Sequence, residues 1–161
     1  MNIAIVNCQR VIPVPISKIR FAARKALRKL QREYDPELSI VFVGPQRMRR
    51  MNKKYLGHDY VTDVITFDYA DMSFPNVFIG NPGMRKRAGP PIKAFGGDRH
   101  FFHGEIVVCP QAAARNAKCY GNSVDQELVL YVVHGLLHLA GYDDKTAEDK
   151  RRMRKKEREL M

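Results

Sequence analysis

One segment near the C-terminus limits the fold more than any other part of the chain. Residues 128–140 are apolar at almost every position and are interrupted only by Gly135 and two histidines, His134 and His138. A helix that is apolar nearly all round packs inside a protein, and this run is too short to span a bilayer. Ser123 and Gln126 have the spacing of a capping box, which predicts where the helix begins. The sequence therefore predicts a buried central helix around which the other elements pack.

The two histidines of this helix are candidate ligands of a metal ion. Residues four apart lie on one face of a helix, so both imidazoles point the same way. Gly141 allows the chain to turn back, and Asp144 follows where a third ligand can return to the same point. Two neutral imidazoles and one carboxylate suit zinc and leave a fourth tetrahedral position for water. We predict a zinc site of His134, His138 and Asp144, although either Asp144 or its neighbour Asp143 could instead cap the last helix.

The residue after the first histidine argues against proteolysis. The spacing H-x-x-x-H-x-x-G-x-x-D shares its histidines and glycine with the metzincin proteases. In an H-E-x-x-H site the glutamate takes a proton from the metal-bound water, but this chain has Gly135 at that position. Hydrolysis of peptides or small molecules by a metal site is therefore disfavoured. The same glycine is expected to leave room for a large substrate near the metal.

The charge of the chain favours a polyanionic partner. Lys and Arg number 28 against 17 Asp and Glu, a net charge of +11. The excess is concentrated in residues 18–32, 47–54 and 145–161. A solvated helix face explains any single cluster about equally well, but three clusters in one small domain favour nucleic acid. No membrane partner and no preference for DNA is indicated. The candidate nucleic-acid-binding residues are Arg49, Arg50, Lys53, Lys54, Arg85 and Arg87.

The remaining patterns predict an α+β domain that covers residues 1–161. Strands are expected at residues 3–7, 38–43, 62–69 and 105–109, with helices before, between and after them. Residues 72–102 are rich in Gly, Pro, Lys and Arg and are read as a long surface loop. The strands are expected to form a small mixed sheet packed by about five helices. The N-terminus lacks secretory features and the three cysteines lack C-x-x-C spacing, so a cytoplasmic protein with reduced, half-buried cysteines is expected.

Three blocks of the chain resemble one family. The run HGLLHLAGYDD, residues 134–144, resembles the H-G-x-L-H-L-x-G-Y-D-H signature of the YbeY family of metal-dependent endoribonucleases. Residues 51–67 resemble the family's L-N-x-x-Y-R-x-x-D-x-P-T-D-V-L-S-F segment, and residues 104–109 resemble its G-D-I-x-I-C strand. The blocks occur in the family's order. Asp144 stands where the family has its third motif histidine, and Leu56 stands where it has an arginine.

The resemblance implies an α+β fold with a metzincin-like metal-site helix and one zinc in a basic cleft. It also implies single-stranded RNA as substrate and a role in ribosomal RNA maturation and ribosome quality control, with ribosomal RNA or the small ribosomal subunit as partner. The family's metal positions carry over onto His134 and His138 directly, and onto Asp144 by substitution. Because both Leu56 and Asp144 depart from the family, a second hypothesis is a ribosome assembly factor with weak or no catalysis and a structural metal site.

Overall fold

The computed structural model describes residues 2–30, 37–69, 76–78 and 103–161, which form five strands and five helices. In chain order these are β1 Asn2–Asn7, α1 Ile16–Leu30, β2 Glu37–Phe42, α2 Pro45–Leu56, β3 Val64–Asp68, β4 Asn76–Phe78, β5 His103–Val108, α3 Pro110–Tyr120, α4 Val124–Leu139 and α5 Ala147–Leu160. The predicted α+β class with a small mixed sheet and about five helices is confirmed.

The sheet has the strand order β1-β2-β5-β3-β4. The pairs β1–β2 and β2–β5 are parallel, whereas β3 is antiparallel to both β5 and β4. A parallel pair needs a crossover connection, and α1 supplies it between β1 and β2. In register, Ile5, Ile40 and Ile106 form one row across the three parallel strands. The sheet is therefore mixed because one parallel half meets one antiparallel half along β5.

Two predictions need correction. Strand β4 lies inside the residues predicted to be a loop, because Asn76–Phe78 pairs antiparallel with residues 66–68. Three residues are too few to show a period in sequence, and their pairing depends on a partner strand. The other residues of the predicted loop, 72–75 and 79–102, lie outside the described residues. The cysteines are not uniformly half-buried, because Cys109 is buried while Cys8 and Cys119 are exposed.

The helices cover the two faces of the sheet unequally. Alternate residues of a strand point to opposite faces. In β5, Ile106 and Val108 join the larger core, which also contains the buried residues of α1, α4 and α5. Val107 between them joins a second cluster with Met48 and Leu56 of α2. Helix α2 therefore packs on the face of the sheet opposite to α4.

Helix α4 is the centre of the larger core, as predicted. It contacts α1, α3, α5, β3 and β5. Its capping box is present, since Ser123 Oγ accepts from Gln126 N at 3.2 Å and Gln126 Oε1 accepts from Ser123 N at 2.8 Å. Thr146 and Asp149 form a second box at the start of α5. No helix in the described part of the chain has the length and apolar character needed to cross a membrane.

Candidate metal centre

The last two turns of α4 bring the two histidine rings together. The Nε2 atoms of His134 and His138 lie 3.0 Å apart, and their rings meet edge to face with centroids 4.5 Å apart. His138 is 2% exposed and His134 is partly buried. Both Nε2 atoms therefore face one shared point at the end of the helix, as the four-residue spacing predicts.

A glycine turn returns the chain to this point. The helix ends at Leu139, and Gly141 has φ +87°, in the left-handed region where a Cβ is disfavoured. The turn is held by Tyr142 N, which donates to Leu137 O at 3.0 Å. Beyond it, a carboxylate oxygen of Asp144 and one ring nitrogen of each histidine lie within 4.8 Å of one another. The structure therefore brings all three predicted ligands together.

The two neighbouring aspartates have different surroundings. Asp143 accepts from Asp144 N at 2.8 Å and from Lys145 Nζ at 2.6 Å, so both of its oxygens are engaged. Asp144 Oδ1 is buried and accepts no hydrogen bond from the described residues. Neither aspartate caps α5, because Thr146 does so. A buried carboxylate oxygen without a donor is costly unless a cation lies beside it, so the residues present fit a metal ion.

The outer nitrogens of the two histidines are also held. His134 Nδ1 lies 2.7 Å from Glu157 Oε1, and His138 Nδ1 lies 3.1 Å from Tyr142 O. A carboxylate and a carbonyl accept from an N–H, so each ring carries its proton on Nδ1 and keeps the Nε2 lone pair for a metal ion. No sequence pattern points to Glu157, because it lies among many charges of α5 and reaches His134 only when α5 docks on α4.

Burial keeps His138 neutral. Burial first, and then the neighbouring His134, lower the pKa of His138 to about 4, while Asp144 and the Tyr142 carbonyl act in the opposite direction. A histidine must be neutral to bind a metal. At neutral pH His138 is therefore already in the state that a metal requires.

Gly135 does not open space for a substrate, contrary to the expectation from sequence. A Cβ at this position would lie 2.8 Å from Cγ2 of Ile106 in β5, and the position is buried. Glycine is needed there because α4 approaches the sheet closely. Position 135 thus faces β5, and a glutamate there would collide with the sheet.

The predicted RNA-binding residues of α2 lie apart from the cluster of His134, His138 and Asp144. They belong to the helix on the opposite face of the sheet from α4. Arg49 Nε and Lys53 Nζ donate to Asp59 at 2.7 and 3.0 Å. Those two hydrogen bonds, that of Arg49 first, lower the pKa of the exposed Asp59 carboxyl to about 2. Arg85 and Arg87 lie outside the described residues.

Arg50 and Lys54 are placed differently from that ion-paired group. They line a surface cavity of about 480 Å³ together with Arg47, Met51 and Tyr55. Lys54 Nζ lies 5.0 Å from the centroid of the Tyr55 ring, which is 38% exposed. This cavity, called here the α2 basic groove, combines positive charge with an accessible aromatic ring.

Leu56, which stands where the resembling family has an arginine, is 4% exposed. It packs in the second cluster with Met48 and Phe67. Position 56 therefore serves the packing of α2 on the sheet and offers no cation.

Comparisons with known proteins match most of the chain. A family model described as Endoribonuclease YbeY matches residues 5–161. Among similar curated proteins, the Endoribonuclease YbeY of Bacillus cytotoxicus is 34% identical over 91% of this chain and 84% of its own length. Those of Geobacter metallireducens and Pelotomaculum thermopropionicum are 34% and 31% identical over 99% and 100% of this chain, and 93% and 95% of their own lengths. The solution structure of TM1509 from Thermotoga maritima shares the fold with a TM-score of 0.56 and 22% identity, over 98% of this chain and 85% of that one.

Proposed function

The chain belongs to the YbeY endoribonuclease family, and we propose that it is a zinc-dependent endoribonuclease that cleaves single-stranded RNA in ribosomal RNA maturation and ribosome quality control. The observation that carries the proposal is the cluster of His134, His138 and Asp144, whose ligand atoms lie within 4.8 Å of one another. The buried, unpaired Oδ1 of Asp144 supports a cation at this point. One zinc per chain accounts for all three side chains.

In this proposal the side chains of His134, His138 and Asp144 hold the zinc ion. A zinc ion held by these side chains would supply Lewis-acid chemistry, which polarises a phosphoryl oxygen and lowers the pKa of water towards about 7. Neutral His138 and the turn at Gly141 fix two ligands before the ion arrives. Gly135 supplies no general base, so peptide hydrolysis by the protease mechanism is disfavoured.

We propose that the α2 basic groove binds RNA at a surface distant from the metal site. Arg50 and Lys54 can contact phosphates, and the exposed ring of Tyr55 offers a base a stacking surface. Arg49 and Lys53 already share Asp59, so they contribute less free positive charge. Helix α2 lies across the sheet from α4. Contacts between RNA and α2 therefore raise the affinity for RNA but do not position the phosphodiester bond that is cleaved.

The experiment that tests the proposal is cleavage of end-labelled single-stranded RNA by the purified protein. His134→Ala is expected to abolish cleavage while the variant still folds, because it removes a metal ligand. His58→Ala is a matched control, since His58 follows α2 and lies outside the cluster. Cleavage by His134→Ala at the wild-type rate, with contaminating nucleases removed, would refute the proposal.

A second candidate function is a ribosome assembly factor with a structural metal site and little or no catalysis. The buried Leu56 favours it, because a position expected to carry an arginine is committed to packing. This candidate predicts association of the protein with ribosomal particles without cleavage of RNA. Turnover of RNA by the clean wild-type protein would exclude it.

A further inference from the structure

We propose that Glu157 is a positioning residue of the metal centre, acting through His134. The inference rests on the metal site of the proposed function and adds a residue from a different helix. Glu157 Oε1 lies 2.7 Å from His134 Nδ1, and the two side chains are only 15% and 20% exposed. The contact joins α5 to α4 over 23 residues of sequence. It leaves Nε2 as the ring atom that faces His138 and Asp144.

The packing of α5 holds Glu157 in place. Met153 and Leu160 are 2% and 0% exposed and belong to the larger core. Residues 153, 157 and 160 follow the spacing of one helix face, so Glu157 lies on the same inward stripe as these two anchors. Two other acidic residues of α5 have partners elsewhere, since Glu159 pairs with Lys156 and Asp149 accepts from Thr146. The carboxylate of Glu157 is thus held against His134 by the docking of the helix.

The two histidines have unequal outer partners. His138 Nδ1 faces the neutral carbonyl of Tyr142 at 3.1 Å, whereas His134 Nδ1 faces a carboxylate at 2.7 Å. A carboxylate behind a ligating imidazole fixes its tautomer and orientation and raises its basicity. Loss of such a partner typically weakens metal affinity about 10–100-fold. His134 therefore depends on α5 for its strength as a ligand, and His138 does not.

The test measures zinc affinity directly, without RNA. Metal-stripped protein competes with a chromophoric chelator for zinc, and the Kd is compared across variants. Glu157→Ala is expected to weaken binding about 10–100-fold. Glu157→Gln is expected to weaken it less, because an amide oxygen still accepts from Nδ1–H but carries no charge. Glu159→Gln is the matched control, with the same change of charge on the same helix, and is expected to bind as the wild type does.

A second readout separates positioning from a structural role. Long-range ¹H–¹⁵N NMR of the metal-free protein at pH 8 reports which nitrogen of His134 carries the proton. The wild type is expected to show the proton on Nδ1, and Glu157→Ala is expected to move it towards Nε2. If Glu157→Ala does not fold, the near-isosteric Glu157→Gln carries the test through its zinc Kd.

The outcomes distinguish this inference from the proposed function. Wild-type zinc affinity in both Glu157 variants, or an unchanged tautomer in the folded Ala variant, would overturn the role of Glu157 even if the protein cleaves RNA. A Glu157-dependent zinc Kd in a protein that cleaves no RNA supports the inference and refutes only the proposed catalysis.

Discussion

At the scale of single residues, the cluster contains groups that are unfavourable without a metal. Asp144 Oδ1 is buried without a hydrogen-bond donor among the described residues, and His138 is buried in a way that disfavours its charged form. The unpaired Asp144 oxygen lowers the stability of the metal-free chain, whereas the burial of His138 lowers it only in acid, and both groups become favourable when a cation binds. Truncating a side chain that binds the metal should therefore not lower the free energy of unfolding of the metal-free protein.

Asp144→Ala should separate the two effects. In chelator, its free energy of unfolding is expected to equal or exceed that of the wild type, because a buried unpaired oxygen is removed. With zinc at a hundred times the wild-type Kd, the wild type should gain about 2.7 kcal/mol, and the variant should lose most of this gain. Urea denaturation with and without zinc measures both quantities. Asp143→Ala is the control: it removes the partner of Lys145 and should be stabilised by zinc as much as the wild type is. If zinc stabilises Asp144→Ala as much as it stabilises the wild type, Asp144 is not a ligand.

The buried His138 predicts how the metal-free protein responds to acid. Its folded pKa of about 4 lies below the value of about 6.5 in an unfolded chain, so between these values the unfolded state binds the extra proton. Stability from this group is full above pH 6.5 and falls as the pH drops towards 4, by at most about 3 kcal/mol. Urea denaturation in chelator at pH 7, 6 and 5 measures the slope. His138→Gln should flatten it, and an unchanged slope would show that other groups control the acid response.

At the scale of elements, features that depend on one segment were predicted from the sequence, whereas contacts between distant segments were not. The burial and capping box of α4 follow from the residues of that helix alone, and the turn at Gly141 brings Asp144 back within a few residues. Strand β4, the approach of Gly135 to Ile106 and the contact of Glu157 with His134 each depend on a distant partner. No pattern within one segment encodes such a partner. The sequence therefore predicted which three side chains come together at the end of α4, but not the distant residues that contact them.

Gly135→Ala tests the close packing of α4 on β5. Alanine favours a helix over glycine by up to about 1 kcal/mol, but the new Cβ would lie 2.8 Å from Ile106 Cγ2. Overpacking of this kind costs about 1–3 kcal/mol, so a net loss of stability is expected. The double variant Gly135→Ala/Ile106→Ala removes the clash, and the added cost of Gly135→Ala should shrink in that background. Additive losses in a denaturation cycle would show that the two positions do not compete for space.

At the scale of the whole molecule, the cluster of His134, His138 and Asp144 and the α2 basic groove are separated by the sheet. Helix α4 and the turn that follows it carry the cluster on one face, and α2 carries Arg50 and Lys54 on the other. A net charge of +11 attracts a polyanion to the whole surface, so charge alone does not say where RNA binds. Binding and cleavage should therefore be separable by mutation.

The salt dependence of RNA binding locates the contact surface. The double variant Arg50→Ala/Lys54→Ala removes two cations of the groove and is expected to lower the slope of log affinity against log salt by about 1.4, since each phosphate contact with single-stranded RNA contributes about 0.7. Arg24→Ala/Arg28→Ala is the matched control, because it removes two exposed cations at the same spacing from α1. Fluorescence anisotropy of labelled single-stranded RNA over a series of KCl concentrations measures both slopes. An equal decrease of the slope in both double variants would mean that RNA binding depends on net charge alone. A decrease only in Arg50→Ala/Lys54→Ala, with an unchanged zinc Kd, would place the RNA backbone on α2.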